Sequence, residues 1–248
     1  MKNKVRFLEE IASNGHVALN VIQYDGWLLR FSNGYTGRAN SVSVLYPSKL
    51  PLEEKVAYCE NCYAKQGLPA NFKLTEYDKE LSDFLEKRGY KSCNATYLMV
   101  LDNLEKTAVT ANIKGCKCKF SKKYNNWIDD YFVLEKITSK ADQKTFRQML
   151  DKVMVDTVYC SISYEGKTVA CGSAAIEHGY ALIQNIIVDE TFRGKGFGEK
   201  LCRTLLKRVQ ELGAKHAYLQ VVQTNTPAKN LYTKLGFKKE YSYWYMKK

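Results

Sequence analysis

Between Arg193 and Gly198 cations and glycines alternate in the order Arg-Gly-Lys-Gly-Phe-Gly. Gly194, Gly196 and Gly198 let a ligand reach the backbone without meeting a Cβ, and Arg193 and Lys195 bring mobile positive charge to the same place. Behind them Phe197, Leu201, Leu205, Leu206, Val209 and Leu212 recur at helical spacing, which predicts an amphipathic helix opening at the loop. The first N–H groups of such a helix have no intrahelical acceptor and sit at the positive end of its dipole. Together these residues describe a seat for a phosphate or pyrophosphate.

Spacing excludes two nucleotide motifs. A dinucleotide fingerprint needs Gly-x-Gly-x-x-Gly, whereas the order here is Arg-x-x-Gly-x-Gly; a Walker loop needs Gly-Lys followed by Ser or Thr, and Lys195 is followed by Gly196.

The elements that must position the loop are legible on both sides of it. A strand over Tyr180–Val188, ending in the apolar run Ile186-Ile187-Val188, delivers the chain to it. After the helix stops at Gly213, alternation over residues 217–222 predicts a second strand. Asn225-Thr226-Pro227 then opens a short helix carrying Ala228, Leu231, Tyr232 and Leu235. Gly236 ends that helix, and the aromatic run Phe237 to Tyr245 predicts a last strand.

Arg193-x-x-Gly196-x-Gly198 resembles the acyl-coenzyme A pyrophosphate loop of the GNAT superfamily of N-acetyltransferases, and Asn225 to Phe237 is similar to that superfamily's Asn-x-x-Ala-x-x-Leu-Tyr-x-x-x-Gly-Phe. The resemblance implies an α+β (mixed α/β) chain of two GNAT-like domains, each with a mostly antiparallel twisted central sheet flanked by helices. It implies transfer of an acetyl group from acetyl-CoA to a primary amine of a small molecule or peptide. Ile186, Ile187 and Val188 would hold the pantetheine arm through their backbones, with one N–H facing the thioester oxygen. Arg193, Gly194, Lys195, Gly196, Phe197 and Gly198 would hold the pyrophosphate, Asn225 would fix the cofactor where two strands separate, and Tyr232 would deliver a proton to the leaving thiolate.

No general base follows. Many relatives carry Glu on the central strand ahead of the loop; the corresponding position is about Leu182, and nearby Gln184 and Asn185 accept no proton usefully. Gln184 is read instead as a polar substrate contact. The missing carboxylate keeps a second reading open, a coenzyme A-binding protein without turnover that acts as a regulator or scaffold, against which Tyr232 and the intact loop stand.

The first half repeats the order of the second. A strand near Asn71 to Leu74, a helix over Tyr77–Lys87, Gly89-Tyr90-Lys91 and a strand through Leu98 parallel the strand, helix, Gly236-Phe237-Lys238 and final strand. The expected domains are 1–105 and 112–248, joined by a polar connector over 103–111. Asp25-Gly26-Trp27-Leu28-Leu29-Arg30-Phe31 and Arg38-Ala39-Asn40-Ser41 resemble the degenerate N-terminal domain of a tandem branch of the superfamily. Where the second half has its glycine loop the first has Pro47-Ser48-Lys49-Leu50-Pro51, and Leu85 stands where Tyr232 would, so this half is expected to bind no coenzyme A. Arg30, Arg38 and Asn40 are then read as polar contacts to the acceptor.

The chain's 248 residues, 45% hydrophobic, suit one large or two small globular domains. No apolar run reaches membrane-spanning length, and Met1-Lys2-Asn3-Lys4 opens no signal peptide, so a cytoplasmic setting is expected. The net charge of +12 is spread along the chain without an aromatic-interleaved array, which signals no nucleic acid in particular. Cys59-x-x-Cys62 and Cys116-x-Cys118 have no His nearby, and the second spacing is too tight for a zinc knuckle, so the eight cysteines read as thiols and no metal is expected. Nothing in the sequence fixes the oligomeric state.

Overall fold

A computed structural model of the chain describes residues 2–106 and 113–248, so the expected connector falls partly outside the described residues. The described residues form two compact units. One comprises the residues through Tyr97 with Gln148–Val153 and Tyr241–Lys248; the other comprises Leu98–Arg147 and Met154–Glu240. Each is mixed α/β, a sheet flanked by helices.

In the first unit α1 (Lys2–Gly15) leads to the hairpin of β1 (Asn20–Tyr24) and β2 (Trp27–Phe31). Both residues of its turn, Asp25 and Gly26, have positive φ, as a two-residue hairpin matching the strand twist requires. Gly26 is needed for space as well, since a Cβ there would lie 2.6 Å from the Tyr46 carbonyl oxygen. The sequence predicts β2 but not β1, because β1 lacks an alternating apolar face: Val21 and Ile22 are exposed and only the β2 side is paired. Next come β3 (Val42–Val44), α2 (Leu52–Ala64), β4 (Asn71–Thr75), α3 (Lys79–Lys87) and β5 (Lys91–Leu101). Trp27, Leu29, Val42, Phe72 and Leu74 pack against Val56, Tyr63, Leu81 and Leu85 of the helices to make one apolar core. Cys59 sits inside it, its thiol pushed up to about 12 by burial.

The second unit contains β6 (Cys116–Ser121), α4 (Ile128–Glu135), α5 (Lys140–Asp151), β7 (Asp156–Tyr164), β8 (Lys167–Glu177) and β9 (Tyr180–Val188). It continues through α6 (Phe197–Glu211), β10 (His216–Val222) and α7 (Thr226–Lys234) to β11 (Lys238–Lys247), and the last four residues of α5 and most of β11 count with the first unit. Strands β6 to β9 form an antiparallel meander, and β10 then joins β9 in parallel. Helix α6 buries Phe197, Leu201, Leu205, Leu206 and Val209 of the apolar stripe its spacing predicts, with Cys202 beside them, while Leu212, just past the end of the helix, is exposed.

β11 pairs antiparallel with β4, Tyr243 to Lys247 opposite Thr75 to Asn71, inside the first unit. β5 lies beside β10, and its residues from Leu98 onward belong to the second unit. Most of the second half's final strand thus belongs to the first unit, and only the last four residues of β5 belong to the second.

Candidate functional site

The central strand β9 is irregular where the site begins. Its ladder with β8 runs from Tyr180 to Gln184, then shifts register before Ile187 meets Cys171. The extra residue is absorbed at Asn185, which takes a positive φ of 56° and whose Nδ2 donates to Ser173 Oγ at 2.9 Å. Gly172 permits the bulge, because a Cβ there would meet Ile186 Cδ1 at 2.4 Å. On the other edge, β10 is in register with β9 only from His216 to Tyr218, though both strands continue to Val222 and Val188. On the β10 side, the backbone of Ile186 to Val188 is therefore unpaired beside a cleft, while Ile187 and Val188 stay paired with β8.

The cleft has a volume of about 520 Å³ and is walled by the end of β9, the loop before α6, and the first turns of α6 and α7. Ile186, Ile187, Val188, Arg193, Gly194, Gly196, Gly198, Asn225 and Tyr232 all line it, so residues from both sides of α6 in the sequence meet at one cleft. Two of the expected cofactor contacts do not. Phe197 is buried edge-on against Tyr164 and Phe192, and Lys195 lies over the Phe192 ring at 5.2 Å; both serve the loop's shape.

Gly194 and Gly196 have φ of 75° and 86°, a conformation an L side chain adopts only with strain. Gly196 caps α6 without a side chain, and the first intrahelical bond runs from Lys200 N to Gly196 O. The N–H groups of Phe197, Gly198 and Glu199 therefore lack helical acceptors at the positive end of a helix. Arg193 is exposed and weakly held, its Nε donating to Val188 O at 3.3 Å and its guanidinium 3.8 Å from Glu190. Such a guanidinium is free to turn toward an anion.

Sequence reasoning missed Glu199, which lines the cleft and bridges its two helices by accepting from Arg203 of α6 at 3.0 Å and from Lys234 of α7 at 2.6 Å. These two cations hold its carboxyl below the usual value, so it is a poor proton acceptor. Only a three-residue offset from Gly196 marked it in the sequence. Asn225 caps α7 as its place before Thr226-Pro227 predicts, its Oδ1 accepting from Ala228 N at 3.2 Å, and the cap does not use its Nδ2.

Tyr232 is buried at the cleft wall, edge-on to Phe237. Burial pushes its phenol well above the ordinary value, which keeps the hydroxyl protonated and a donor. Gln184 is buried on β9 opposite Ser173 and does not line the cleft.

In the first unit, Arg30 and Asn40 are structural. Arg30 is buried, donating to Arg38 O at 2.7 Å, to Ser13 O at 3.3 Å and to His16 O. Asn40 is buried, its Oδ1 accepting from Ser32 N at 2.7 Å and Gly34 N at 3.0 Å. Each closes a loop on itself. Arg38 alone of the three is only partly buried. At Pro47 to Pro51, the amides that a phosphate would need are taken by Asp25, whose carboxylate accepts from Lys49 N and Leu50 N at 3.0 Å.

Residues 122–237 match the model of the acetyltransferase (GNAT) family. Over 242 residues it is 27% identical to YobR, an uncharacterized N-acetyltransferase of Bacillus subtilis (strain 168), across 94% of each chain. Its fold is similar to a GCN5-related N-acetyltransferase from Kribbella flavida, with a TM-score of 0.74 at 14% identity over 98% of this chain and 94% of that one. It is also similar to a tandem GNAT protein from the clavulanic acid biosynthesis pathway, with a TM-score of 0.66 at 14% identity over 84% and 75% of the two chains.

Proposed function

We propose that the second unit transfers an acetyl group from acetyl-CoA to a primary amine of a small molecule or peptide. One observation carries the reading: the glycine-bounded N-terminus of α6, without a side-chain cap, opens on the same cleft as the end of β9 that β10 leaves unpaired and the hydroxyl-bearing Tyr232. Acetyl-CoA would supply an activated thioester there. The amides of Gly196 to Glu199 and the Arg193 guanidinium hold the diphosphate, and the backbone of Ile186 to Val188 pairs with the pantetheine arm. A β9 N–H stabilises charge developing on the thioester oxygen, and Tyr232 gives its proton to the departing sulfur.

With Glu199 tied in ion pairs and no other carboxylate lining the cleft among the described residues, the acceptor amine arrives neutral or loses its proton through water. A cytoplasmic setting belongs to the same reading, and all eight cysteines are free thiols. Calorimetry with acetyl-CoA, followed by thiol release over a panel of amines, tests it. Heat and turnover are expected; heat with no thiol release on any amine would leave the binding-protein reading in its place, and no heat would sink both.

A further inference from the structure

The first unit keeps an opening where the second has its cleft. Aligning Gly89 with Gly236 sets Asp78 on Asn225 and Leu81 on Ala228, and Asp78 and Asn225 both stand at the N-cap of their helices. β3 and β4 pair in parallel at Val42 and Ser43, as β9 and β10 do, and β4 then runs on to Thr75 while β3 stops at Val44. A pocket of about 300 Å³ lies at that parting, walled by the end of β3, the loop after it and the first turns of α2 and α3. These are the walls of the second unit's cleft, element for element.

The lining has different chemistry. Asp25 already holds the loop amides of Lys49 and Leu50, so positive charge reaches this pocket from α1 instead. Lys2 and Arg6, one turn apart, both line it, and among the described residues no carboxylate lies within ion-pair distance of either. Arg6 Nε is enclosed and has no hydrogen-bond partner among them. Its guanidinium carbon lies 5.3 Å from the centre of the Tyr46 ring, which is anchored by its hydroxyl donating to Glu10 at 2.5 Å. At the start of α3, Asp78 Oδ2 accepts from Thr75 N at 2.8 Å and from Thr75 Oγ1 at 2.7 Å. Its Oδ1 accepts nothing among the described residues. Trp27, Leu45, Leu52 and Leu81 supply an apolar wall, and Glu80 is exposed at the rim.

We propose that this pocket binds an α-amino acid with an apolar side chain, its carboxylate on Arg6 and Lys2, its ammonium on Asp78 Oδ1 and its side chain against the apolar wall. Two unpaired cations call for an anion, an open carboxylate oxygen calls for an N–H donor, and a free amino acid carries both on one carbon. An acid without the amine would leave Asp78 and Glu80 facing its charge, and an amine without the acid would leave Arg6 unmatched. A volume of about 300 Å³, against about 520 Å³ in the second unit, suits a ligand of that size. The pocket lies wholly in the first unit, so its occupancy is independent of acetyl transfer in the second.

The test is calorimetry and thermal denaturation of the full chain with leucine, methionine, phenylalanine and tryptophan, each against its decarboxylated amine and its deaminated acid. At least one amino acid is expected to bind and raise Tm, with both counterparts weaker by about 10-fold or more. Arg6→Gln and Asp78→Asn are each expected to weaken that binding by about 10-fold or more, and Arg6→Lys, which keeps the charge, by less than Arg6→Gln. All three variants should keep the heat with acetyl-CoA, which separates a failure here from a failure in the second unit. Binding by none of the four, equal binding by an amine or a deaminated acid, or binding that survives both Arg6→Gln and Asp78→Asn, overturns the proposal.

Discussion

A phenol on the wall of an apolar cleft has one chemical use that its ring lacks. Tyr232 is buried against Phe237, and the ring alone would fill that space, so replacing it with Phe removes the hydroxyl and little else. If the hydroxyl is the proton source for the leaving sulfur, Tyr232→Phe should lower kcat by roughly 10²–10⁴-fold while calorimetry returns the same affinity for acetyl-CoA. An unchanged kcat would make Tyr232 a packing residue. At this scale the sequence was readable where a residue's conformation depends on its neighbours in the chain, as at Gly194 and Gly196. It misled where a polar side chain's partners are distant: Arg30 and Asn40 have the types of ligand contacts but spend their polar atoms on backbone groups of their own unit.

Among the elements, α6 and α7 are tied across the cleft by Glu199, whose carboxylate meets Arg203 and Lys234. Those contacts lower its folded pKa below the usual 4.5, so it stabilises the fold at pH above that value, and the contribution is lost as pH falls through the depressed folded pKa. Because Lys234 is largely exposed the effect is small, and Glu199→Gln is expected to lower Tm by roughly 1–3 °C at neutral pH. That difference should shrink in acid below about pH 4; a difference that persists there would rule out the ion pairs as its cause. Most element types were legible because periodicity and glycine stops are local, and β9 has the bounds its apolar run predicts. α3 begins later than expected because Asp78, by accepting from Thr75 N at 2.8 Å, makes a turn of residues that read as helix. The bulge at Asn185 left no mark in the sequence; it depends on space beside Gly172, on another strand.

In the molecule as a whole, chain order misreports which unit the end of the chain supports. The repeat assigned the last strand to the second domain by position, but pairing is decided by edges, and β11 completes the sheet of the first unit against β4. Its hold there is polar as well as apolar: Tyr241 donates to Glu9 at 2.6 Å, Glu9 pairs with the buried Lys73, and Met246 sits in the apolar core. Removing residues 241–248 would expose the β4 edge, open the core at Met246 and take one partner from Glu9. The first unit should therefore unfold while the fold of β6 to β10 persists. Limited proteolysis of the truncated chain should cut within residues 20–97 and spare 154–240, and the Trp27 environment, enclosed in the native core, should become wet. A milder variant separates the strand from its charge partner: Glu9→Gln leaves β11 in place but strands Lys73 in a buried site, at a cost of about 3–5 kcal/mol in stability at neutral pH. Cuts confined to 154–240 after the truncation would show that β11 supports the second unit instead.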